Sequence, residues 1–528
     1  VSALLSIVTL WWLSFFTIVG LCLGSFLNVV IHRLPLGIDL AHPRWSFCPR
    51  CGSRIAWYDN LPVVSFLLLR GRCRHCHAPI SAHYPLIELL TAVVVVSLFD
   101  AFFLAQSRAG LQTFPDLAWR LSADWPVFLA HVILFVCLLG MSSIDLQFYW
   151  VDIRFTHFAA LCGVLLHTIW TPYHSRDWFR PYDATAAATV VAFIAFAIVW
   201  LLLPERPEED HTQNDQPPET ENTPPETLGD DSSGPSENQN TMTDGSPPVE
   251  ADSMPHQARS TAAVEASWPP AARRGGTAML VAGLLLFAAV WSAVCVSAVK
   301  GGWLVPHAYR AGLPLLCGFL AIVFAAARKR ESDGEIAEAI EFEAPAARRG
   351  VLRELLTLAP AILLGALTLI AFLNSPKFAD TVREVIHWRP FNGAWRPLLG
   401  LSTAVSGYVI AAGIGWTVRI LANFIWGKEA FATGDIHMMA AAGAVAGWQV
   451  VLIGFVIACL SAIAGWLLLL PLKRSRVIPL GPWLTIGFWT TTLFYNPIVE
   501  SNLVQRFADA VNLLFLNNSQ PSFIGGTP

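Results

Sequence analysis

The chain has 528 residues, of which 54% are hydrophobic and only 14% charged, and its formal net charge is −4. Ordinary soluble domains carry roughly a quarter charged residues, so this composition excludes a soluble globular enzyme. With no basic excess it implies no nucleic-acid partner, and it predicts an all-α polytopic membrane protein.

The first apolar run begins at once, with no basic region or small-residue cleavage site ahead of a soluble domain, and reads as a retained helix rather than a signal peptide. Apolar runs of spanning length, about 17–25 residues, fall near 5–31, 84–105, 126–145, 155–171, 185–203, 278–299, 311–327, 354–373, 398–425, 436–452, 455–472 and 478–498. That predicts about twelve transmembrane helices. The room from 436 to 472 admits either two short helices or one long helix broken near Gly447.

Between the first two runs lie two cysteine pairs, Cys48-Pro-Arg-Cys51 and Cys73-Arg-His-Cys76, with 21 residues between Cys51 and Cys73. Two Cys-x-x-Cys knuckles at this spacing can close on one tetrahedral ion, and we read the four thiolates as a structural zinc site. The alternative, a pair of disulfides, needs an oxidising compartment. Against it, Arg33, Arg44, Arg50, Arg54, Arg70, Arg72 and Arg74 mark the loop as cytoplasmic. His75 and His77 are bystanders once four thiolates complete the shell. Cys22, Cys137, Cys162, Cys295, Cys317 and Cys459 lie singly in apolar runs and read as small hydrophobes.

Placing this loop inside puts both termini outside. It also puts Arg328-Lys329-Arg330, Arg348-Arg349 and Lys473-Arg474-Ser475-Arg476 inside, as the positive-inside rule requires. From Pro204 to about Gly276, Pro, Glu, Asp, Thr, Ser, Asn and Gln dominate, which predicts a disordered cytoplasmic linker. The acidic stretch 328–352 reads as a solvated connector in preference to a short helix.

Two carboxylates stand at the cytoplasmic ends of apolar runs, where an ionisable group is costly and marks function. Asp145 ends the third run in Gly140-Met-Ser-Ser-Ile-Asp145, and Asp435 opens the tenth in Ala432-Thr433-Gly434-Asp435. Two aspartates meeting at the membrane surface can share one proton, one activating water and the other protonating a peptide group. Asp152 competes for the first role but lies in the polar loop beyond the helix end, so Asp145 is preferred.

The segment Gly24-Ser25-Phe26-Leu27-Asn28-Val29-Val30-Ile31-His32-Arg33-Leu34-Pro35 is followed by the cysteine loop with Asn60-Leu61-Pro62 and Arg70-Gly71-Arg72, then Tyr84-Pro85-Leu86-Ile87-Glu88. The two aspartate motifs and Ile478-Pro479-Leu480-Gly481-Pro482 complete an ordered series. In this order the motifs resemble the bacterial type IV prepilin leader peptidases, membrane aspartyl proteases with a GxGD motif that also N-methylate their product. The resemblance covers roughly 10–171 and 398–498, and the chain departs from it at Ala432, at His437 and at Trp150-Val151.

The resemblance implies that Asp145 and Asp435 are catalytic. The substrates would be type IV prepilins or pseudopilins, cut after the leader's glycine on the cytoplasmic side of the inner membrane. S-adenosylmethionine would be the methyl donor, with no residue assignable to it. The expected layout is N-terminal helices with the zinc loop at 33–83 (residues 1–105), first core half at 126–171, an insertion at 172–397, second half at 398–498 and a tail at 499–528. The insertion holds four candidate spans, an even number, so both aspartates stay on one face. The rivals are an inactive descendant serving as scaffold, an ion-binding membrane protein, and a methyltransferase without proteolysis; the oligomeric state is not readable.

Overall fold

The computed structural model describes residues 2–148, 151–170, 182–202, 331–390, 395–469 and 479–499, less a few single positions, together with isolated positions elsewhere. The expected spans at 278–299 and 311–327, the linker at 204–276 and most of the tail lie outside the described residues. Every regular element among those described is helical.

Helix α1 (Ser2–Arg33) is followed by the cysteine loop, which contains a short 3-10 turn and α2 (Val64–Leu68). Then come α3 (His83–Phe99, extended by a π-turn to Leu104), α4 (Leu117–Phe148), α5 (Ile153–Ile169), α6 (Tyr182–Leu202), α7 (Glu331–Asn374) and α8 (Pro376–Ile386). The chain closes with α9 (Pro397–Trp426), α10 (Thr433–Ala446), α11 (Trp448–Leu469), α12 (Gly481–Leu493) and α13 (Tyr495–Val499).

Six of the described helices are long and apolar enough to cross a membrane: those at Ile7–Arg33, His83–Leu104, Leu117–Leu146, Gly350–Asn374, Pro397–Trp426 and Trp448–Leu467. Ile153–Ile169 and Asp183–Val199 are shorter apolar helices. Helix α3 is apolar all round and wholly enclosed, the pattern of a central helix, whereas α1, α7 and α11 leave most of their apolar surface outward. The core runs from Leu13 and Leu27 through Leu86 to Phe103 and on to Met438, Phe488 and Leu493.

Close crossings depend on small residues, because without a hydrophobic drive between membrane helices packing must be intimate. On Gly407 of α9, a Cβ would lie 2.0 Å from the Gly443 carbonyl oxygen of α10, so these two backbones touch.

Several boundaries differ from expectation for identifiable reasons. Pro126 lies inside α4, which begins nine residues earlier than a helix opened by that proline would. The acidic stretch expected as a connector is the first part of α7, a 44-residue helix; its Ala and Glu residues are strong helix formers. Helix α8 had no counterpart in the apolar pattern because its polar residues break the run, although Ser375 caps it and Pro376 opens it. The region 436–472 takes the two-helix form, divided at Gly447, whose φ of +95° suits glycine.

Helices α6 and α7 run antiparallel, with Ala184 in a cluster with Phe372 of α7, and Ala188 and Ala192 beside Gly365. Both ends of the undescribed stretch between them therefore meet the bundle on one side.

Candidate active site

Asp145 lies in the last turn of α4 and is buried, 6% exposed. Its Oδ2 accepts the N–H of Gly481, the first residue of α12, at 3.2 Å. The N-terminus of a helix presents unpaired N–H groups and a positive dipole end, so α12 is aimed at this carboxylate. One turn earlier in α4, Ser142 Oγ pairs with Thr485 Oγ1 at 2.8 Å and fixes the register of α4 against α12. Gly481 has no room for a side chain: a Cβ would sit 2.7 Å from Asp145 Oδ2.

Asp435 is equally buried and occupies the first turn of α10, whose N-cap is Ala432. Its carboxylate stands at the third helical position, where an acid faces the positive end of the helix. Asp145 and Asp435 lie within each other's electrostatic field. Gly434 packs on the turn after α4, where its Cβ would lie 2.6 Å from the Val151 Cβ. Ala432 has φ −73° and ψ 148°, an ordinary extended conformation, so alanine there costs the backbone nothing.

Asp152 is otherwise engaged. It caps α5, accepting Arg154 N–H at 2.9 Å, and its carboxylate pairs with the Arg154 guanidinium at 2.6 Å. His437 packs edge-on against His157 of α5, with ring centroids 5.6 Å apart.

In the cysteine loop, the Sγ atoms of Cys48, Cys51, Cys73 and Cys76 all lie within 4.8 Å of one another. Cys48 and Cys76 sulfurs are 3.9 Å apart; tetrahedral Zn–S bonds of about 2.3 Å place sulfurs about 3.8 Å apart. This donor set fits a four-thiolate ion. The two knuckles repeat one geometry. Gly52 N–H bonds Cys48 O, and Cys48 N–H bonds Ser53 O; His77 N–H bonds Cys73 O, and Cys73 N–H bonds Ala78 O. A single bridge closes each, Phe47 to Arg54 and Arg72 to Pro79.

His77, at φ 55°, thus holds the turn position that Gly52 holds at φ 68° in the first knuckle. It belongs to the loop's backbone and not to the ligand cluster. Burial pushes the Cys48 thiol up to about 12. Burial also opposes ionisation of Cys51, yet hydrogen bonds from Ser53 and the neighbouring thiols bring it down to about 6. Arg74 grips Asp59 with two bonds of 2.7 and 2.6 Å, joining the second knuckle to the 3-10 turn Trp57–Asn60 and holding the Asp59 carboxyl below its usual range.

Glu88 of α3 ties the loop to the bundle by accepting Val63 N–H at 2.7 Å. Arg33 closes the other side, donating to the carbonyls of Asp39, Leu40 and Trp45. The structure therefore groups the four cysteines in one place and the two aspartates in another. Sequence reasoning did not identify the part played by Gly481. Gly481 stood in the Ile478–Pro482 motif of the resemblance, but nothing there assigned it a role, and the Gly-Pro pair by itself marks only a helix start.

Residues 18–102 match the family model described as the bacterial peptidase A24 N-terminal domain. The "Prepilin leader peptidase/N-methyltransferase" of Myxococcus xanthus is 40% identical over 153 residues, covering 29% of this chain and 39% of that protein. That of Klebsiella pneumoniae is 43% identical over 142 residues, 26% of this chain and 53% of the relative. The "Type 4 prepilin-like proteins leader peptide-processing enzyme" of Escherichia coli O78:H11 is 36% identical over 204 residues, 35% of this chain and 66% of the relative. The chain thus spans between 39% and 66% of the length of these three curated relatives. No solved structure matches it. Residues 18–102, which contain the four-cysteine loop, thus match the bacterial peptidase A24 N-terminal domain, and the chain is similar over part of its length to bacterial prepilin leader peptidases.

Proposed function

We propose that the protein is an inner-membrane aspartyl endopeptidase that removes the leader of type IV prepilins or pseudopilins after its glycine, at the cytoplasmic face, and N-methylates the new terminus. The observation that carries this reading is the meeting of Asp145 and Asp435, 290 positions apart in sequence, in one another's field at the ends of α4 and α10. The ionised member of the pair takes a proton from water as its oxygen attacks the glycine carbonyl, while the protonated member gives its proton to the carbonyl oxygen. Collapse of the tetrahedral adduct breaks the C–N bond and passes a proton to the leaving amine.

In this reading the four cysteines hold structural zinc, which orders the loop and takes no part in bond cleavage. S-adenosylmethionine supplies the methyl group, and no residue of this chain is assigned to it. The arginine-rich loops support a cytoplasmic position for the aspartate end of the bundle. About twelve spans, with 172–397 inserted between the two core halves, preserve that placement, since α6 and α7 leave and rejoin the bundle on one side.

The test is direct. Purified protein is mixed with a prepilin from the same genome, with and without S-adenosylmethionine, and the product's N-terminus is read by mass spectrometry. A cut after glycine with a methylated terminus is expected, whereas intact prepilin from folded, zinc-loaded protein would point to a non-catalytic scaffold. Gly481→Ala should cut the turnover number roughly ten- to hundredfold without affecting insertion, because the new methyl displaces the Asp145 carboxylate by a sizeable fraction of an ångström. Steady-state cleavage kinetics check this, and an unchanged turnover number would remove Gly481 from the site.

A further inference from the structure

Helices α1 and α3 run antiparallel, and their register fixes how deep each residue of the pair lies. Asn28 Nδ2 donates to the Tyr84 carbonyl oxygen at 2.9 Å. A Cβ on Gly24 would lie 2.6 Å from the Glu88 Cα, and one on Gly20 would lie 2.6 Å from the Ala92 Cα. Glu88 is therefore level with Gly24, inside the apolar span Ile7–Arg33. At 1.5 Å per residue, Gly24 lies about 13 Å along the axis from Arg33, where α1 ends. The 27 residues of this span make about 40 Å of helix, enough for the hydrocarbon core and most of both headgroup layers. The level of Glu88 thus falls below the headgroups, among the upper acyl chains.

The cysteine loop comes down to that level. Val63, which precedes α2, donates its N–H to Glu88 Oε2 at 2.7 Å. Its side chain is buried in a cluster with Leu89 of α3, at whose edge lie Leu21 of α1 and Phe66. Val63 stands at φ +60°, a costly conformation for a β-branched residue, so this bond and packing set the start of α2 against local preference. A carboxylate at such a depth needs a hydrogen-bond donor, and the loop supplies one.

With Val63 and Ser65 turned inward, Val64, Leu67 and Leu68 point out, 51%, 51% and 74% exposed, and Leu61 on the approach is exposed as well. Positions i, i+3 and i+4 share one face of a helical turn, so the outward face of α2 is wholly apolar. Arg70 and Arg72 follow, both exposed. From Leu34 to Ser81 there are six arginines and two aspartates, and one of these, Asp59, is held by Arg74. Apolar side chains followed by guanidinium groups match acyl chains and lipid phosphates.

We propose that Leu61–Leu68 is inserted in the bilayer leaflet on the cysteine loop's side, with Val64, Leu67 and Leu68 against acyl chains. The four-cysteine loop is then a module seated in the membrane surface, not one standing free in water. The outward face of α2 continues the lipid-facing surface of α1, to which Leu21 joins it.

The test places full-length protein in nanodiscs of phosphatidylethanolamine and phosphatidylglycerol containing a trace of phospholipid with a diazirine high on one acyl chain. After irradiation and digestion, lipid adducts are mapped by mass spectrometry. Adducts on 61–68 should reach within about threefold of those on the outward α1 residues Trp11 and Ile18, which serve as the lipid-facing reference. In the double variant Leu67→Glu, Leu68→Glu they should fall roughly tenfold with α1 labelling unchanged, because an acid among acyl chains drives the segment out. Zinc content of the variant, measured alongside, should equal that of wild type.

Absence of adducts on 61–68 in wild type, with α1 labelled, would overturn the proposal, whether water or a second copy of the chain covers the face. Labelling that persists at the wild-type level in the variant would overturn it too, since the outward leucines would not then hold the segment in lipid. The wild-type result decides even if the variant fails to retain zinc, and neither readout depends on cleavage of a prepilin.

Discussion

Asp145→Asn and Asp435→Asn should each abolish leader cleavage, lowering the rate by at least about a thousandfold, the scale on which a positioned acid or base contributes. Asparagine keeps the shape and one carbonyl oxygen, so Gly481 N–H can still bond residue 145. What is lost is the ability to take up or give a proton. The two groups act as a unit, so the double variant should be no slower than either single one. Membrane insertion and helical content, read by circular dichroism, should match wild type. Residual cleavage above a tenth of wild type in either variant would show that the pair is not the catalytic one.

The second large effect concerns metal. Cys48→Ser and Cys73→Ser, one from each knuckle, should reduce bound zinc from about one ion per chain to near zero, because structural zinc sites draw apparent binding energies of about 10–16 kcal/mol from a complete shell. Plasma emission spectrometry of protein purified without added metal measures this. The backbone bonds of the two knuckles remain possible, but they hold the loop only from Phe47 to Arg54 and from Arg72 to Pro79. Limited proteolysis should therefore cut the variants between residues 44 and 80 well before wild type. Zinc content equal to wild type in both variants would rule out the four-thiolate site.

Much of this architecture was legible because a membrane imposes a single strong pattern. The expected run at 84–105 became His83–Leu104, and that at 398–425 became Pro397–Trp426. Each has a proline in its first turn, which marks the start, and apolar side chains to its end. Where the pattern carried less information, the reading was less complete. Pro126 marked a start that α4 passes over: it stands ten residues into the helix, where it forgoes one main-chain hydrogen bond. The acidic half of α7 and the whole of α8 lacked the apolar signal altogether.

The site divides in the same way. Asp145 and Asp435 were found as ionisable groups where such groups are costly, and the cysteines by their spacing. The Gly481 N–H could not be found, since every residue but proline offers such a group and only the fold selects which ones matter. Asp152 shows the converse, a carboxylate at a conspicuous place whose partner, Arg154, gives it a capping role.

The bond from Gly481 to Asp145 joins residues 336 positions apart. At about 5–20 residues per second, a ribosome needs roughly 20–70 s to make that stretch after Asp145 has been synthesised. Helix α10 is made late in that interval, and α12 only at its end. The two ends of this contact are thus made well apart in time. A chain stalled or truncated before α12 lacks the N–H group that Asp145 accepts.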